Sequence, residues 1–247
     1  ATIKTRTIGM GKLDSEVATY KYYTSSPPAA NEEVPEQDPD QAPDQTEDKG
    51  TGEEKPEQVR HFVDVEKHWA KDKINYLLGK GIIAGMTATE FKPQEKITRA
   101  QFANLLVAAL DLDVSQGRAL SFEDVPAGAW YRDAVAAAVE AGLISGYSDL
   151  VFAPDENITR EQMASIISRA LQMKSGETLD DGELEQIINK FTDKGDISPW
   201  ARQGIALAVR RGIVGGVSAD TFAPKLPATR AEAAVMIWGL YQQLDLS

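Results

Sequence analysis

The 247-residue chain contains no cysteine, which removes disulfides, thiolate metal sites and cysteine nucleophiles together. Long hydrophobic runs are missing as well. The Ala-rich stretch from Ala134 to Ile144 is interrupted by Glu140, short of the roughly 18 apolar residues that a membrane-crossing helix needs. Basic charge is scarce: 26 Lys and Arg face 38 Asp and Glu, for a net −12. A surface of that sign does not displace counterions from a nucleic-acid backbone, so neither nucleic acid nor a membrane is expected as a partner. Histidine is limited to His61 and His68, which have no other ligand type clustered around them and read as surface residues rather than a metal pair. Gly-rich phosphate loops and nucleophile elbows are absent. The many carboxylates would permit glycosidase chemistry, yet no pair is singled out. Asp111-x-Asp113-x-Ser115 hints at an EF-hand, but Gly117 and Glu123 each fall one position late. No catalytic residue, metal site or cofactor is assigned. The chain starts at Ala1 with neither an initiator Met nor a charged-then-apolar leader, which suits a mature product or a cut fragment.

What the chain does have is uneven along its length. Residues 25–59 hold eleven acids against Lys49 and Lys55, and so carry −9 of the net charge. They also hold six prolines and almost no large apolar side chain, the composition of an extended, self-repelling linker. Before it, residues 1–24 contain two β-branched and aromatic runs separated by Gly9-Met-Gly11. These read as a hairpin. Two strands cannot bury a core alone, so the hairpin is expected to be the C-terminal remnant of an upstream β-sandwich module.

After the linker comes an internal repeat. With Trp69, Trp130 and Trp200 aligned, the same residues recur without a gap: Gly81, Gly142 and Gly212; Gly85, Gly146 and Gly216; Phe91, Phe152 and Phe222; Pro93, Pro154 and Pro224; then Thr98-Arg99, Thr159-Arg160 and Thr229-Arg230. Phe62-Val-Asp64, Phe122-Glu-Asp124 and Phe191-Thr-Asp193 open the units. The pattern predicts repeats over residues 60–112, 120–173 and 191–243, with a short amphipathic helix over 178–190. Each unit reads as two helices. The first carries a stripe such as Ile74, Leu77 and Leu78, and the second one such as Phe102, Leu105, Leu106 and Ala109. A unit of about 50 residues is too small to bury its own apolar face, so the three should pack on one another.

Each Thr-Arg-x-Gln or Thr-Arg-x-Glu segment is a capping box, which explains the Thr and the Gln or Glu. It leaves the Arg unexplained, because a cation in the first turn opposes the helix macrodipole by a few tenths of a kcal/mol. Two roles stay open on spacing alone: an ion pair with an acid of the same or a neighbouring unit, or a fork for an anionic ligand. The second role predicts that Arg160→Ala leaves stability unchanged or raises it while weakening binding. The three tryptophans can be core anchors or platforms for a sugar ring, with the core reading favoured by residue type. Asp64, Asp124 and Asp193 sit in lead-in loops, where holding backbone N–H groups is the default role.

Phe-x-Asp, then Trp, Gly-Ile, Gly, Phe-x-Pro and Ile-Thr-Arg-Ala-Gln resembles the surface-layer-homology repeat, over Phe62 to about Tyr241. The resemblance implies a mainly α fold in which three pseudo-threefold helix-loop-helix units pack as a spindle around a central helix bundle, with grooves between neighbours. It further implies a partner, the secondary cell-wall polysaccharide linked to peptidoglycan, often bearing a pyruvate-ketal amino sugar, and a location at the extracellular surface of a Gram-positive cell wall. Carried over by position, Arg99, Arg160 and Arg230 would bind the carboxylate. Asp64, Asp124 and Asp193 would help hold sugar hydroxyls, and Trp69, Trp130 and Trp200 would shape the groove walls. The implied function is non-covalent anchoring of an exoprotein or S-layer protein, without enzymatic activity in this segment. A protein–protein lattice element that self-associates, or part of a hydrolase with its catalytic domain upstream, are the alternatives. Ala228, where the other units have Ile97 and Ile158, marks the third groove as the one expected to differ.

Overall fold

The apolar stripes of each unit become one short and one long helix. In the computed structural model the described residues are 61–114 and 119–244, together with the backbone of 3–8 and 18–23. Among them are seven α-helices: α1 (Lys71–Gly79), α2 (Arg99–Leu110), α3 (Arg132–Glu140), α4 (Arg160–Ser175), α5 (Asp181–Ile188), α6 (Arg202–Arg210) and α7 (Arg230–Gln243). None is long and apolar enough to cross a membrane. The backbone of β1 (Ile3–Ile8) pairs antiparallel with β2 (Ala18–Tyr23), Ile3 opposite Tyr23. The segment joining these strands and the acidic linker lie outside the described residues, as does any larger β-sandwich around them.

Local chemistry sets the helix ends. α2, α4 and α7 each begin with a complete capping box, in which the hydroxyl of Thr98, Thr159 or Thr229 accepts from the third N–H and Gln101, Gln162 or Glu232 reaches back to the Thr N–H. The short helices α1, α3 and α6 stop at Gly81, Gly142 and Gly212, whose φ angles of 70°, 70° and 66° suit glycine. The second glycine of each unit is required for space instead. A Cβ on Gly85, Gly146 or Gly216 would lie 2.4–2.6 Å from backbone carbonyl oxygens of the loop that follows. Ser198 caps no α-helix: Pro199–Ala201 form a 3₁₀ turn before α6, and the Ser198 hydroxyl bonds Glu161.

Each second helix packs on the first helix of the next unit, α2 on α3, α4 on α6 and α7 on α1, while α7 also touches α2 and α4. The order is cyclic, and at its centre the backbone closes a ring. The N–H of Ile97 donates to the Ala228 carbonyl (3.1 Å), that of Ala228 to Ile158 (2.9 Å), and that of Ile158 to Ile97 (3.1 Å). All three residues are fully buried. Ala228 therefore sits on this central ring rather than in a groove wall. Within each unit the lead-in Phe packs on the loop Phe, with ring centroids 5.6, 5.5 and 5.3 Å apart for Phe62–Phe91, Phe122–Phe152 and Phe191–Phe222. Burial of a Phe contributes roughly 1.5–3 kcal/mol, so these pairs anchor the loops that form the seams between units. The extra helix α5 lies on α6, joined to it by Arg202–Glu185 and Arg210–Glu183.

Candidate functional site at the seams between repeats

A helix N-terminus has N–H groups that the helix itself cannot satisfy. Here the next unit supplies the acceptors. Arg99 N–H and Ala100 N–H donate to the carbonyls of Glu156 (2.9 Å) and Pro154 (3.0 Å). The same pair of bonds runs from Arg160 and Glu161 to Leu226 and Pro224, and from Arg230 and Ala231 to Glu95 and Pro93. The Phe-x-Pro loop of each unit thus plugs the long helix of the unit before it.

The three arginine side chains follow the same direction. All are buried. Arg99 donates through Nε to the Phe152 carbonyl (2.9 Å) and through Nη2 to that of Ser145 (2.7 Å). Arg160 donates to the Phe222 carbonyl (3.0 Å), the Gly215 carbonyl (2.6 Å) and, through Nη1, to Glu232 (2.6 Å). Arg230 donates to the carbonyls of Phe91 (2.8 Å) and Ala84 (3.1 Å). Each guanidinium also lies over the ring of the Phe whose carbonyl it holds, 4.7 Å from Phe152, 5.1 Å from Phe222 and 4.5 Å from Phe91. These contacts answer the helix-dipole puzzle: oriented carbonyls and a π face across the seam outweigh an unfavourable term of a few tenths of a kcal/mol. Burial lowers the pKa of Arg99, opposed by Tyr147, Glu156 and Asp124. It pushes Arg230 down to about 10, opposed by Glu95 and Asp64, so that Arg230 is still a cation at neutral pH.

The aspartates grip the same phenylalanines from inside their own units. Asp64 accepts from Phe91 N–H (2.9 Å) and Lys92 N–H (2.7 Å). Asp124 accepts from Phe152 and Ala153 (2.9 and 2.6 Å), and Asp193 from Phe222 and Ala223 (2.9 and 2.7 Å). The second residue of each pair is left-handed, with φ of 61°, 58° and 56° at Lys92, Ala153 and Ala223, a conformation that costs a non-Gly residue about 1–2 kcal/mol. A carboxylate accepting both N–H groups holds that turn. Sequence-predicted Arg and Asp therefore meet at one residue: Phe152, for instance, gives its N–H to Asp124 and its carbonyl to Arg99.

The tryptophans are not core anchors. Trp69, Trp130 and Trp200 are 62%, 47% and 56% exposed. Trp69 connects to a seam through His68, whose ring lies 5.3 Å from the indole and whose Nε2 meets the Gln94 side-chain nitrogen at 2.8 Å, next to the Pro93 and Glu95 carbonyls that face α7. No group of His, Asp and Glu among the described residues could hold a metal ion. Sequence reasoning missed Glu161, a buried acid bound to Ser198 N–H (3.0 Å) and to Lys225 across the seam between the second and third units. The first and third units have Ala100 and Ala231 at this position, and Gln94 and Asp155 stand where the third has Lys225. That coincident departure was the available signal.

The S-layer homology domain family model matches residues 61–103, 121–164 and 190–234, one match per structural unit. The chain belongs to the S-layer homology domain family. Such domains are cell-wall anchoring modules of S-layer proteins and surface enzymes. The chain is 39% identical over 188 residues to an amylopullulanase of Thermoanaerobacterium thermosulfurigenes, covering 76% of this chain and 10% of that protein. It is 32% identical over 180 residues to the surface-layer 125 kDa protein of Lysinibacillus sphaericus, covering 72% and 14%. With the S-layer protein sap of Bacillus anthracis it shares 34% identity over 170 residues, covering 69% and 20%. The chain thus spans a tenth to a fifth of the length of these relatives, which include S-layer and cell-surface proteins.

Proposed function

We propose that this module holds a surface protein on the cell wall by gripping an acidic secondary wall polysaccharide at the seams between its repeats. The carrying observation is the buried guanidinium at every seam, fastened edge-on by carbonyls and stacked on a Phe ring. A cation so fixed, in a partly dehydrated cleft, is preorganised for a carboxylate such as that of a pyruvate-ketal amino sugar. Arg99, Arg160 and Arg230 are the proposed anion contacts, and the exposed Trp69, Trp130 and Trp200 the proposed surfaces for sugar rings, whose apolar faces suit an indole. For Asp64, Asp124 and Asp193 the proposed part is to hold the seam loop in shape and to accept sugar hydroxyls with their remaining lone pairs. Several seams on one rigid ring raise the effective concentration for a polymer without new contacts. The anchored cargo, whether a lattice subunit or an enzyme, would lie in the part of the protein beyond this module.

Cosedimentation with purified wall sacculi tests the reading. Retention should be strong on intact walls, and much weaker after the secondary polymer is extracted or its pyruvate removed. Equal retention on intact and extracted walls would refute polysaccharide binding, and equal retention on pyruvylated and depyruvylated walls would refute the role of the carboxylate.

A further inference from the structure

The residue after the loop proline differs from unit to unit: neutral Gln94, acidic Asp155 and basic Lys225. In the first unit Gln94 reaches back 26 positions to His68, with its side-chain amide 2.8 Å from Nε2. Nδ1 of the same ring accepts the N–H of Ala70 (3.2 Å), so the pair of bonds spans Trp69. In the third unit Lys225 reaches back 27 positions, where Nζ donates to the Ser198 hydroxyl and to Glu161. Glu161, itself buried, accepts the N–H (3.0 Å) and the hydroxyl (3.1 Å) of Ser198. The Ser198 carbonyl in turn accepts the Ala201 N–H (2.9 Å) of the 3₁₀ turn that carries Trp200. In the second unit Ala129 takes the place of His68, and Trp130 packs edge-on against Tyr131, with ring centroids 5.3 Å apart.

The backbone on either side of these two residues is fixed in the seams. Gln94 stands between Pro93 and Glu95, whose carbonyls accept the N–H groups of Ala231 and Arg230. Lys225 stands between Pro224 and Leu226, whose carbonyls accept those of Glu161 and Arg160. One side chain therefore joins the turn that carries the tryptophan to the acceptors that hold the arginine helix. An indole that is more than half exposed, as Trp69 and Trp200 are, has little packing of its own to set its place, so the turn beneath it must do so.

We propose that Gln94 and Lys225 are positioning residues, each tying the tryptophan-bearing turn of its unit to the arginine seam, so that a sugar ring on the indole meets its anion contact at a preset spacing. This rests on the wall-polysaccharide reading above. The two ties differ in kind, an amide on an imidazole in the first unit and an ammonium on a buried carboxylate in the third, while Trp130 rests on Tyr131. Cutting a tie removes no contact with the ligand. It leaves the ligand to order the turn on binding, which costs about two- to tenfold in affinity at that seam.

The whole chain labelled with 5-fluorotryptophan gives one fluorine resonance for each of its four tryptophans, assigned by replacing each with Phe in turn. Without ligand, Lys225→Met should displace the Trp200 resonance and leave those of Trp69, Trp130 and Trp238 in place. Gln94→Leu should displace that of Trp69 alone, and because this bond lies at an exposed side chain it tests the idea without disturbing a buried charge. Lys225→Arg keeps a cation able to reach Glu161 and should return the Trp200 resonance towards wild type. Titration with a pyruvate-ketal amino-sugar glycoside should then show binding weakened about two- to tenfold at the displaced tryptophan only. Thermal melts establish that each variant is folded. A resonance that stays in place when its tie is cut, four resonances that move together, or a displaced resonance with unchanged affinity at that seam overturns the positioning role. If the glycoside moves no tryptophan resonance of the wild type, the sugar-binding reading of the tryptophans fails, whereas the ligand-free spectra still decide whether the ties set the indoles.

Discussion

Arg160→Ala should destabilise the module strongly, the reverse of what its position in the first turn of a helix suggests. The side chain is 5% exposed and makes three short hydrogen bonds into the third unit, to the carbonyls of Phe222 and Gly215 and to the Glu232 carboxylate. Its loss strands two backbone acceptors at a buried seam and leaves Glu232 without its cation. Hydrogen bonds to a charged group contribute about 1.5–3 kcal/mol each, and removing one partner of a buried ion pair costs about 3–5 kcal/mol. These overlap rather than add. Relief of the unfavourable helix dipole returns a few tenths of a kcal/mol, so the net loss should be about 3–5 kcal/mol. For a folded unit of this size 1 kcal/mol corresponds to about 2–4 °C, which predicts a fall in Tm of about 10 °C. Arg160→Lys keeps one charged contact but cannot span both carbonyls, and should fall between the two. Circular dichroism melts and urea titrations on the three proteins measure this. A Tm for Arg160→Ala within 2 °C of wild type would refute the clamp and return the arginine to the role of a free anion fork.

Three other substitutions probe the same frame. Thr159→Ala removes the hydroxyl that caps α4 and should cost about 1 kcal/mol, read by urea titration; no loss would mean that Gln162 alone suffices. Glu161→Ala takes the acceptor from Ser198 N–H and the counter-ion from Lys225 and should cost about 1–3 kcal/mol in a urea titration; no measurable loss would show that the carboxylate contributes nothing to the seam. Gly204→Ala in α6 would bring its Cβ to 2.7 Å from the Ser165 Cα of α4, and overpacking of this kind should cost about 1–3 kcal/mol in a thermal melt.

The elements legible in the sequence were those set by neighbours along the chain. Thr98-x-x-Gln101 specifies a capping box and Gly81 a stop wherever the helix later packs, and both are found as read. The repeated Phe, Asp and Arg were also singled out. Their partners were not, because Arg99 bonds residues 46 and 53 positions away and Arg230 bonds residues 139 and 146 positions away. Nothing local says which repeat is next around a ring. The tryptophans were misjudged by residue type: a Trp is buried on average, but at the start of these short helices the indole is exposed rather than packed in the core. Glu232 looked like an ordinary capping acid, and only the fold brings its second oxygen to Arg160.

Ring closure also changes how stability and binding relate. In an open solenoid each repeat touches only its neighbours in sequence, and terminal units can fray separately. Here the third unit's Arg230 holds the first unit's Phe91 and Ala84, and the central backbone bonds run 97 to 228 to 158 and back to 97. Loss of any one unit therefore leaves two seams open and strands the N-terminal donors of the long helix in the unit before it. The contacts that join the units are made by the same guanidinium groups that are proposed above as anion contacts. A ligand bound at a seam bridges two units and favours only the closed ring, so it must raise the stability of all three together, by RT ln(1 + [L]/Kd) for each occupied site. On the proposed binding at the seams, anchoring strength and resistance to unfolding would depend on the same three arginines.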